Sequence, residues 1–282
     1  MKGFINIIKP KGMSSAYAVG AVKHKLKVPC GHMGTLDPMA SGILPIGIGK
    51  TSRLFQFFLD KTKTYEAVFR FGALTDTLDI TGTVTMDGGI IPTEEQIKAV
   101  LPNFIGEIEQ VPPNYSAKCI DGKRGYELAR RGVEFSLPAK KVTILNIEYL
   151  GKKSETDFAF KIDCKGGTYI RSLARDIGVA LNTYCIMAEL DRTACGVFTY
   201  ENGVSVEEFK ASNTAQDFLL APDIAIDYPK LVLTGEQAQK ILDGVFLNYG
   251  FKNGIYRVYN QREFWGVGEA KNGVLKIKAY VR

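Results

Sequence analysis

The sequence has few of the residues from which metal sites and disulfide frameworks are built. Its 282 residues include two histidines, His24 and His32, and five cysteines, none of which forms a C-x2-C pair. A structural zinc site needs four closely grouped cysteine and histidine ligands, so no such site is expected. Since the sequence shows no secretory signal, we expect reduced thiols that pack as small apolar side chains.

Long apolar runs are also missing. No run approaches the roughly 18 residues of a membrane-spanning helix, and the opening MKGFINIIKP has too few apolar residues for the core of a signal peptide. We therefore expect a cytoplasmic protein that does not cross a membrane. With 45% apolar and 23% charged residues, the composition excludes disordered, collagen-like and coiled-coil chains. The length allows about two globular domains.

Charge is distributed in blocks along the chain. Residues 1–70, 111–175 and 231–282 are net basic, whereas residues 71–110 and 176–230 are net acidic, and the formal net charge is +6. Basic blocks that meet on one face would bind a polyanion such as RNA. Solvated faces without a partner are the alternative that charge alone leaves open.

The order of the predicted elements favours an α+β fold. The sequence predicts strands over residues 4–8, 43–48, 65–71, 142–150 and 157–164, and helices over residues 16–26, 51–59, 125–131 and 169–180, with a further helix after Thr93. Since no regular β-α-β period is present, we expect a mixed, largely antiparallel sheet with flanking helices. An acidic stretch with Pro222 and Pro229 predicts a boundary between a large domain, residues 1–228, and a small β-rich domain, residues 229–282.

The glycine-rich segment over residues 30–45 is the first candidate site. Its glycines let a ligand approach the backbone, and Asp37 precedes a proline, which presents the carboxylate from a loop. Asp37 and His32 could form a site, although a turn-capping Asp near a surface His fits the same spacing. The next residues, Gly47-Ile48-Gly49-Lys50-Thr51, end like a phosphate-binding P-loop, but Leu44 stands where the first glycine is required. A P-loop nucleotide hydrolase is therefore not expected.

A Gly-Gly turn followed by a helix, over residues 166–176, is the second candidate. The start of this helix carries Tyr169 and Arg171. An aromatic ring and a guanidinium suit stacking on a base and pairing with a carboxylate, and a helix N-terminus offers backbone donors. A core tyrosine and a surface arginine are the structural alternative.

Five short segments combine into a longer pattern. They are Lys9-Pro10-x-Gly12-x-Ser14-Ser15, Gly31-His32-x-Gly34-Thr35-Leu36-Asp37-Pro38-x-Ala40-x-Gly42-x-Leu44-Pro45, Lys63-Thr64-Tyr65, Thr75-Asp76-Thr77-x-Asp79 and Gly167-Thr168-Tyr169-Ile170-Arg171-Ser172-Leu173-Ala174. In this order and spacing they resemble the bacterial TruB-type tRNA pseudouridine synthases. Because five ordered matches are more specific than any single motif, the resemblance favours the functional interpretation of both candidate sites.

The resemblance implies an enzyme that isomerises uridine 55 in the T-loop of elongator tRNA to pseudouridine. The bond between N1 and C1′ breaks and a bond from C5 to C1′ forms, with no cofactor or metal. The implied fold is the pseudouridine synthase sheet, mixed and largely antiparallel with flanking helices, followed by a C-terminal PUA domain. Residues 231–282 match that domain only in length and β-like character, so we expect a small PUA-like RNA-binding domain.

Site residues are carried over from the matching segments. Asp37 matches the catalytic aspartate, which attacks or stabilises the ribose at C1′. Tyr65 matches the aromatic residue that stacks on the flipped base, and Arg171 matches the arginine that pairs with the aspartate and keeps it ionised. The other matches are substrate contacts and loop supports: His32 at the T-loop, Tyr169 and Leu190 in the uracil pocket, and Lys9 and Pro10 beneath the catalytic loop.

Two other functions fit the same fold. One is a non-catalytic tRNA-binding or RNA-folding protein, which the intact Asp37, Tyr65 and Arg171 argue against. The other is an RNA-guided synthase of the archaeal and eukaryotic type, which the resemblance to stand-alone bacterial enzymes argues against. We expect a monomer that binds the tRNA T-arm, with no guide RNA and no membrane.

Overall fold

The computed structural model describes residues 1–58, 61–116 and 137–282, the single residues Val133 and Phe135, and the backbone of residues 119–120 and 123–124. The predicted helix over residues 125–131 lies outside the described residues. The chain divides into two compact units. The first comprises Met1–Pro38, Gly42–Leu59 and Ala194–Arg282, and the second comprises Met39–Ser41 and Asp60–Thr193.

Short helices and many strands alternate along the chain. The strands are β1 Gly3–Lys9, β2 Cys30–His32, β3 Ser41–Ile48, β4 Lys63–Phe71, β5 Leu74–Thr75, β6 Val84–Met86, β7 Gly106–Gln110, β8 Cys119–Ile120, β9 Lys123–Arg124, β10 Lys140–Lys152, β11 Asp157–Cys164, β12 Cys185–Cys195, β13 Phe198–Thr199, β14 Val204–Ser205, β15 Lys230–Leu233, β16 Leu247–Phe251, β17 Gly254–Asn260, β18 Glu263–Lys271 and β19 Gly273–Tyr280. The α-helices are α1 Ser15–Leu26, α2 Glu94–Val100, α3 Ile170–Ala180, α4 Val206–Ala211 and α5 Gly235–Leu242.

In the first unit, β1 lies between a parallel and an antiparallel neighbour. It pairs with β14 in parallel and with β3 antiparallel, and β2 pairs with β3 on the other side. Helix α1 begins as predicted, because the Ser14 side chain accepts a hydrogen bond from the Tyr17 backbone N–H at 3.1 Å. The predicted strand over residues 4–8 and the predicted helix over residues 16–26 are confirmed.

A helix is present where residues 51–59 predict one, but it is not an α-helix. Residues Gly49–Phe58 form a 3-10 helix, which has three residues per turn. Its buried residues are Thr51, Leu54, Phe57 and Phe58, whereas Phe55 is exposed. The same apolar residues fit an α-helical spacing of three and four, so periodicity alone could not separate the two helix types.

The C-terminal part of the first unit has its own sheet, in the order β15-β17-β18-β19-β16. One cluster of buried side chains, centred on Trp265, holds this sheet against α5. A second cluster joins Tyr259, Phe264 and Val281 to Phe4 and Phe58 near the N-terminus, so the two parts of the first unit share a core. The β-rich character predicted for residues 229–282 is confirmed, and the boundary at residue 228 stays a prediction.

The second unit is built on strands in the order β12-β4-β11-β10-β7, which pair antiparallel from β4 to β7. The predicted neighbours β10 and β11 pair along most of their length, and β4 pairs with the other edge of β11. Strand β4 buries every second residue, and the rings of Phe69 and Phe160 lie 4.8 Å apart across the pair. Helices beside these largely antiparallel strands confirm the predicted α+β class.

An ion pair between β4 and β11 gives a prediction about stability. Arg70 donates from Nε and Nη2 to the two carboxylate oxygens of Asp157, at 2.7 and 2.8 Å. These hydrogen bonds hold the pKa of Asp157 below its usual value. A lowered pKa stabilises the folded state above the ordinary Asp pKa, and that contribution is lost as pH falls through the folded-state value. Because Arg70 is partly exposed, we expect Arg70→Met to cost about 1 kcal/mol at pH 7 and less below pH ~4.

Urea unfolding at pH 7 and pH 3 measures this effect. The matched control is Lys141→Met, which removes an exposed partner of Glu107. We expect that control to change the free energy of unfolding by less than about 0.5 kcal/mol. An Arg70→Met cost that stays constant between the two pH values would contradict an electrostatic origin.

Candidate active site

Asp37 lies in a loop of the first unit that joins β2 to β3. The loop is anchored where it leaves β2, because the Met33 backbone N–H donates to the Pro45 carbonyl at 2.8 Å. Gly34 and Gly42 flank Asp37 at φ values of 144° and 105°, which residues with a side chain rarely adopt. Asp37 itself is half-buried. The two glycines therefore allow the sharp changes of direction that present this carboxylate from the loop.

The residues on either side of Asp37 are held by hydrogen bonds from the N-terminal part of the chain. Ser15 Oγ donates to the Leu36 carbonyl at 2.7 Å and accepts from the Leu36 N–H at 2.9 Å. The Pro38 carbonyl accepts from the Gly12 N–H at 2.7 Å. Asp37 thus sits between two residues whose backbone is fixed.

Lys9 is fully buried beneath this loop. Its ammonium donates to the carbonyls of Met13, Pro10 and Pro38 at 2.8, 3.0 and 3.4 Å. A buried charge needs such partners, and these carbonyls draw the end of β1 and the Asp37 loop together. Pro10 contributes its carbonyl to this group while its ring stays exposed. This geometry agrees with a supporting role for Lys9 and Pro10.

His32 is the last residue of β2, where it lies opposite Ile46 of β3. It is half-buried, five residues before Asp37. Because Gly31 pairs with Gly47 and the Met33 N–H donates to Pro45, the backbone before and after His32 is held against β3.

Tyr65 and Leu190 lie on neighbouring strands of the second unit. Tyr65 is on the buried face of β4, opposite Ile162 of β11, and is 7% exposed. Leu190 is buried in β12, the strand on the other side of β4. The structure therefore brings the two residues onto adjacent strands.

Arg171 is buried in the first turn of α3, so the interpretation of it as a surface arginine is wrong. It is 5% exposed. Its Nη1 donates to the Thr77 carbonyl at 2.9 Å and its Nη2 donates to the Tyr115 carbonyl at 3.0 Å. Tyr169, the N-cap residue of α3, is half-buried two positions earlier. Two carbonyls from distant parts of the second unit thus fix the plane of the guanidinium.

Asp79 is a site residue to which sequence reasoning assigned no role. Its carboxylate lies 3.8 Å from Arg171 Nε, and both side chains are 6% exposed. One carboxylate oxygen accepts from Thr77 Oγ1, from the Thr81 N–H and from Thr81 Oγ1 at 2.8, 2.9 and 2.6 Å. The turn over residues 75–81 therefore holds the Asp79 carboxylate in a fixed position beside Arg171. The Thr-Asp-Thr-x-Asp spacing signalled a turn, and only the fold shows which side chain it faces.

Gln110 is the second residue that sequence reasoning missed. It ends β7, it is 1% exposed, and its Oε1 accepts from the Tyr169 N–H at 2.8 Å. The Tyr169 N–H, one of the backbone donors at the start of α3, is therefore already occupied. No sequence motif pointed to Gln110, because its partner lies 59 residues away.

The described residues offer neither a metal site nor a reactive Cys30 thiol. No group of three or more His, Cys, Asp and Glu side chains is placed to hold a metal ion within that part of the chain. Nor does any helix there have the length and apolar character needed to span a membrane. Burial raises the pKa of the Cys30 thiol to about 11, which makes it a poor nucleophile at neutral pH.

Sequence comparison finds the same family over most of the chain. A model of the TruB family pseudouridylate synthase N-terminal domain matches residues 23–170, and a model of the pseudouridine synthase II TruB C-terminal region matches residues 229–279. The tRNA pseudouridine synthase B of Aquifex aeolicus is 41% identical, covering 99% of this chain and 99% of the relative. The proteins of the same name from Clostridium kluyveri and Azoarcus sp. are 37% and 40% identical, covering 100% and 99% of this chain and 100% and 94% of the relatives.

Solved structures give the same fold at lower sequence identity. A chain of a Cbf5-Nop10-Gar1 complex superposes with a TM-score of 0.73 at 24% identity, covering 99% of this chain and 85% of that chain. An archaeal box H/ACA sRNP Nop10-Cbf5 complex gives 0.70 at 24% identity, with coverages of 99% and 86%. At this level of identity, the similarity shows a shared fold.

Proposed function

We propose that this chain, which belongs to the TruB family of pseudouridylate synthases, acts on uridine 55 in the T-loop of elongator tRNA. The chain is an enzyme that forms pseudouridine in tRNA. The observation that carries the proposal is the intact Asp37 loop, with backbone hydrogen bonds on both sides of the carboxylate. A half-buried carboxylate held in this way is suited to act on one defined atom.

The reaction requires that the base first leave the stack of the folded T-loop. Unstacking costs a few kcal/mol, and stacking on the Tyr65 ring returns about 1–3 kcal/mol of that cost. We assign Asp37 to attack or stabilisation at C1′ while the bond to N1 breaks. The base then turns so that C5 bonds to C1′, the hydrogen on C5 leaves as a proton, and the freed N1 takes up a proton from solvent. Atoms and electrons balance without an external oxidant or reductant.

The remaining residues hold the reactants. We assign Arg171 to keeping the Asp37 carboxylate ionised and oriented, because a carboxylate excluded from water otherwise takes up a proton. Tyr169 and Leu190 line the uracil pocket in this proposal, and His32 contacts the T-loop. Lys9 and Pro10 support the loop that carries Asp37.

Tritium release from tRNA labelled at uracil C5 tests the proposed function. Forming the bond from C5 must expel that hydrogen, so the enzyme should release one tritium for each uridine 55 converted. A tRNA in which uridine 55 is replaced by cytidine should release none of the label at other positions. Binding without release would instead support the non-catalytic tRNA-binding function.

Two variants of Tyr65 separate stacking from hydroxyl chemistry. Tyr65→Phe keeps the buried ring, so we expect binding of the flipped base to be retained. Tyr65→Ala removes the ring, and we expect a loss of at least about tenfold in affinity for the flipped state. Single-turnover kinetics on both variants measures this. If Tyr65→Phe also keeps the full rate, the hydroxyl has no part in proton transfer.

We further propose a cytoplasmic monomer that acts without a guide RNA, and a PUA-like domain over residues 229–282 that adds affinity for tRNA. Lys252 and Lys271 are exposed on this part of the chain. We expect Lys252→Gln and Lys271→Gln each to lower the slope of log K against log salt by about 0.7–0.9 for full tRNA, with saturated turnover unchanged. An isolated T-arm stem-loop should be a substrate whose binding the two variants do not change.

Lys98→Gln is the matched control for this prediction. Lys98 is also exposed but lies in the acidic block and pairs with Glu94. Its slope should equal that of the unmodified chain. If Lys252→Gln and Lys271→Gln lost equal affinity for full tRNA and for the stem-loop, residues 229–282 would bind the T-arm and not another part of the tRNA.

A further inference from the structure

Three glutamine side chains each accept a hydrogen bond from the backbone N–H of a helix N-cap residue. In a capping box, a Gln at the third helical position accepts from the backbone N–H of the N-cap residue. Gln96 does this for Thr93 at 2.8 Å, and Gln237 does it for Thr234 at 3.0 Å. Gln110 makes the same bond to Tyr169, but from 59 residues away and from a buried position.

Helix α3 lacks a local N-terminal cap. The Tyr169 side chain makes no capping bond, and the first turn contains no acidic residue. The Tyr169 carbonyl already accepts the first helical bond, from the Leu173 N–H at 3.0 Å. Without Gln110 the Tyr169 N–H would lose this acceptor, and the backbone at the start of the helix would be held less firmly.

Residues 110–115, here called the strap, also hold the arginine. The strap begins at Gln110, whose backbone is paired with Lys140 in the sheet, and it passes through two buried prolines, Pro112 and Pro113. Proline fixes φ, so the strap is stiff. The carbonyl of Tyr115, at its far end, accepts from Arg171 Nη2. One rigid segment therefore fixes both Tyr169 and Arg171.

Stability alone does not account for Gln110. Among the described residues, its Nε2 is buried without a hydrogen-bond partner. Such an orphaned donor costs about 1–3 kcal/mol, which is similar to the cost of leaving the Tyr169 N–H without its acceptor, so exchanging Gln110 for an apolar side chain of the same length should change the free energy of unfolding little. What an apolar side chain cannot supply is the acceptor for Tyr169.

We propose that Gln110 is a positioning residue for the reaction, which fixes the start of α3 and with it the Tyr169 ring and the Arg171 guanidinium. This inference rests on the proposed function of those two residues. Misplacement of a reacting group by about 1 Å costs up to a hundredfold in rate. Loss of the acceptor should therefore lower the rate of the chemical step while leaving tRNA binding and folding intact.

Gln110→Met tests the proposal, because it keeps the length of the side chain and removes the acceptor. We expect kcat to fall at least about tenfold, KM to stay within about threefold and the Tm to stay within a few degrees. Gln110→Glu, whose buried carboxyl should take up a proton and stay neutral, retains a carbonyl acceptor and should keep kcat within about threefold of the unmodified chain. If Gln110 had a purely structural role, loss of kcat would follow loss of Tm. Gln110→Met and Gln110→Glu variants of equal Tm would then have equal kcat.

Ser172→Ala is the matched control. Ser172 Oγ donates to the Val111 carbonyl at 2.8 Å, which is also a bond between the strap and α3. The same carbonyl accepts from Arg175 Nη2 at 3.1 Å, so no acceptor is orphaned when the hydroxyl is removed. We expect kcat of Ser172→Ala within about twofold of the unmodified chain.

Amide hydrogen exchange gives a second measurement that does not depend on activity. With 15N-tyrosine labelling, the Tyr169 amide should exchange at least about tenfold faster in Gln110→Met than in the unmodified chain. If the unmodified chain releases no tritium, the proposed function fails, and this exchange still tests the anchoring of α3. Unchanged kcat and exchange in folded Gln110→Met would overturn the inference. If Gln110→Met is unfolded, Gln110→Asn carries the same test, and two unfolded variants would make Gln110 a folding residue.

Discussion

Asp37→Asn should eliminate tritium release from tRNA labelled at uracil C5. The substitution preserves the volume of the side chain but removes the negative charge and the nucleophilic oxygen, on which both routes at C1′ depend. The hydrogen bonds that hold Leu36 and Pro38 are made by the backbone, so the loop should keep its conformation. We expect a loss of at least about a thousandfold in single-turnover rate.

Affinity for tRNA should change by less than about tenfold in the same variant, because phosphate contacts dominate binding to nucleic acids. Asp87→Asn is the matched control, since it also removes one negative charge but lies at an exposed position directly after β6 in the second unit. It should leave the rate unchanged. Turnover by Asp37→Asn near that of the unmodified chain would remove Asp37 from the mechanism.

The sequence predicts those parts of the fold whose causes are local. Helix α1 follows from the Ser14 cap, and helix α2 follows from Thr93 with Gln96 three residues later. Strand β4 follows from alternation, because one of its faces is buried and the other is partly exposed. Each of these signals lies within about ten residues.

Strand β12 was missed because it has no such alternation. Its first four residues, Cys185–Ala188, are all buried, as expected for a strand covered on both faces. Arg192, farther along the same strand, is buried as well, against the usual preference of a charged residue. A pattern of this kind cannot be distinguished from a loop or a buried helix by periodicity.

Some residues of the candidate site could likewise be identified from the sequence, and others could not. Asp37, Tyr65 and Arg171 could be selected because each lies in a motif that resembles a known family. Asp79 and Gln110 could not be given a role, since what they do depends on contacts with Arg171 and Tyr169, more than 50 residues away in the chain. Long-range contacts of this kind are decided by the packing of the whole sheet.

Arg171→Lys should impair the reaction severely while leaving the fold intact. A guanidinium is a planar fork, and here two of its nitrogens donate to the carbonyls of Thr77 and Tyr115 while Nε faces Asp79. A lysine ammonium is a single point charge and cannot reach these groups together. We expect the single-turnover rate to fall at least about a hundredfold, with KM nearly unchanged.

Arg175→Lys is the control that makes this result specific to the position of Arg171. Arg175 lies one turn farther along α3, and its guanidinium pairs with Asp176 and with the Val111 carbonyl at a partly exposed site. The same chemical change there should alter the rate by less than about threefold, because a mobile ammonium can still meet Asp176. Equal losses in the two variants would show that α3 needs arginine for packing. A large loss only at Arg171 would show that the reaction depends on a guanidinium fixed by the turn over residues 75–81 and by the strap.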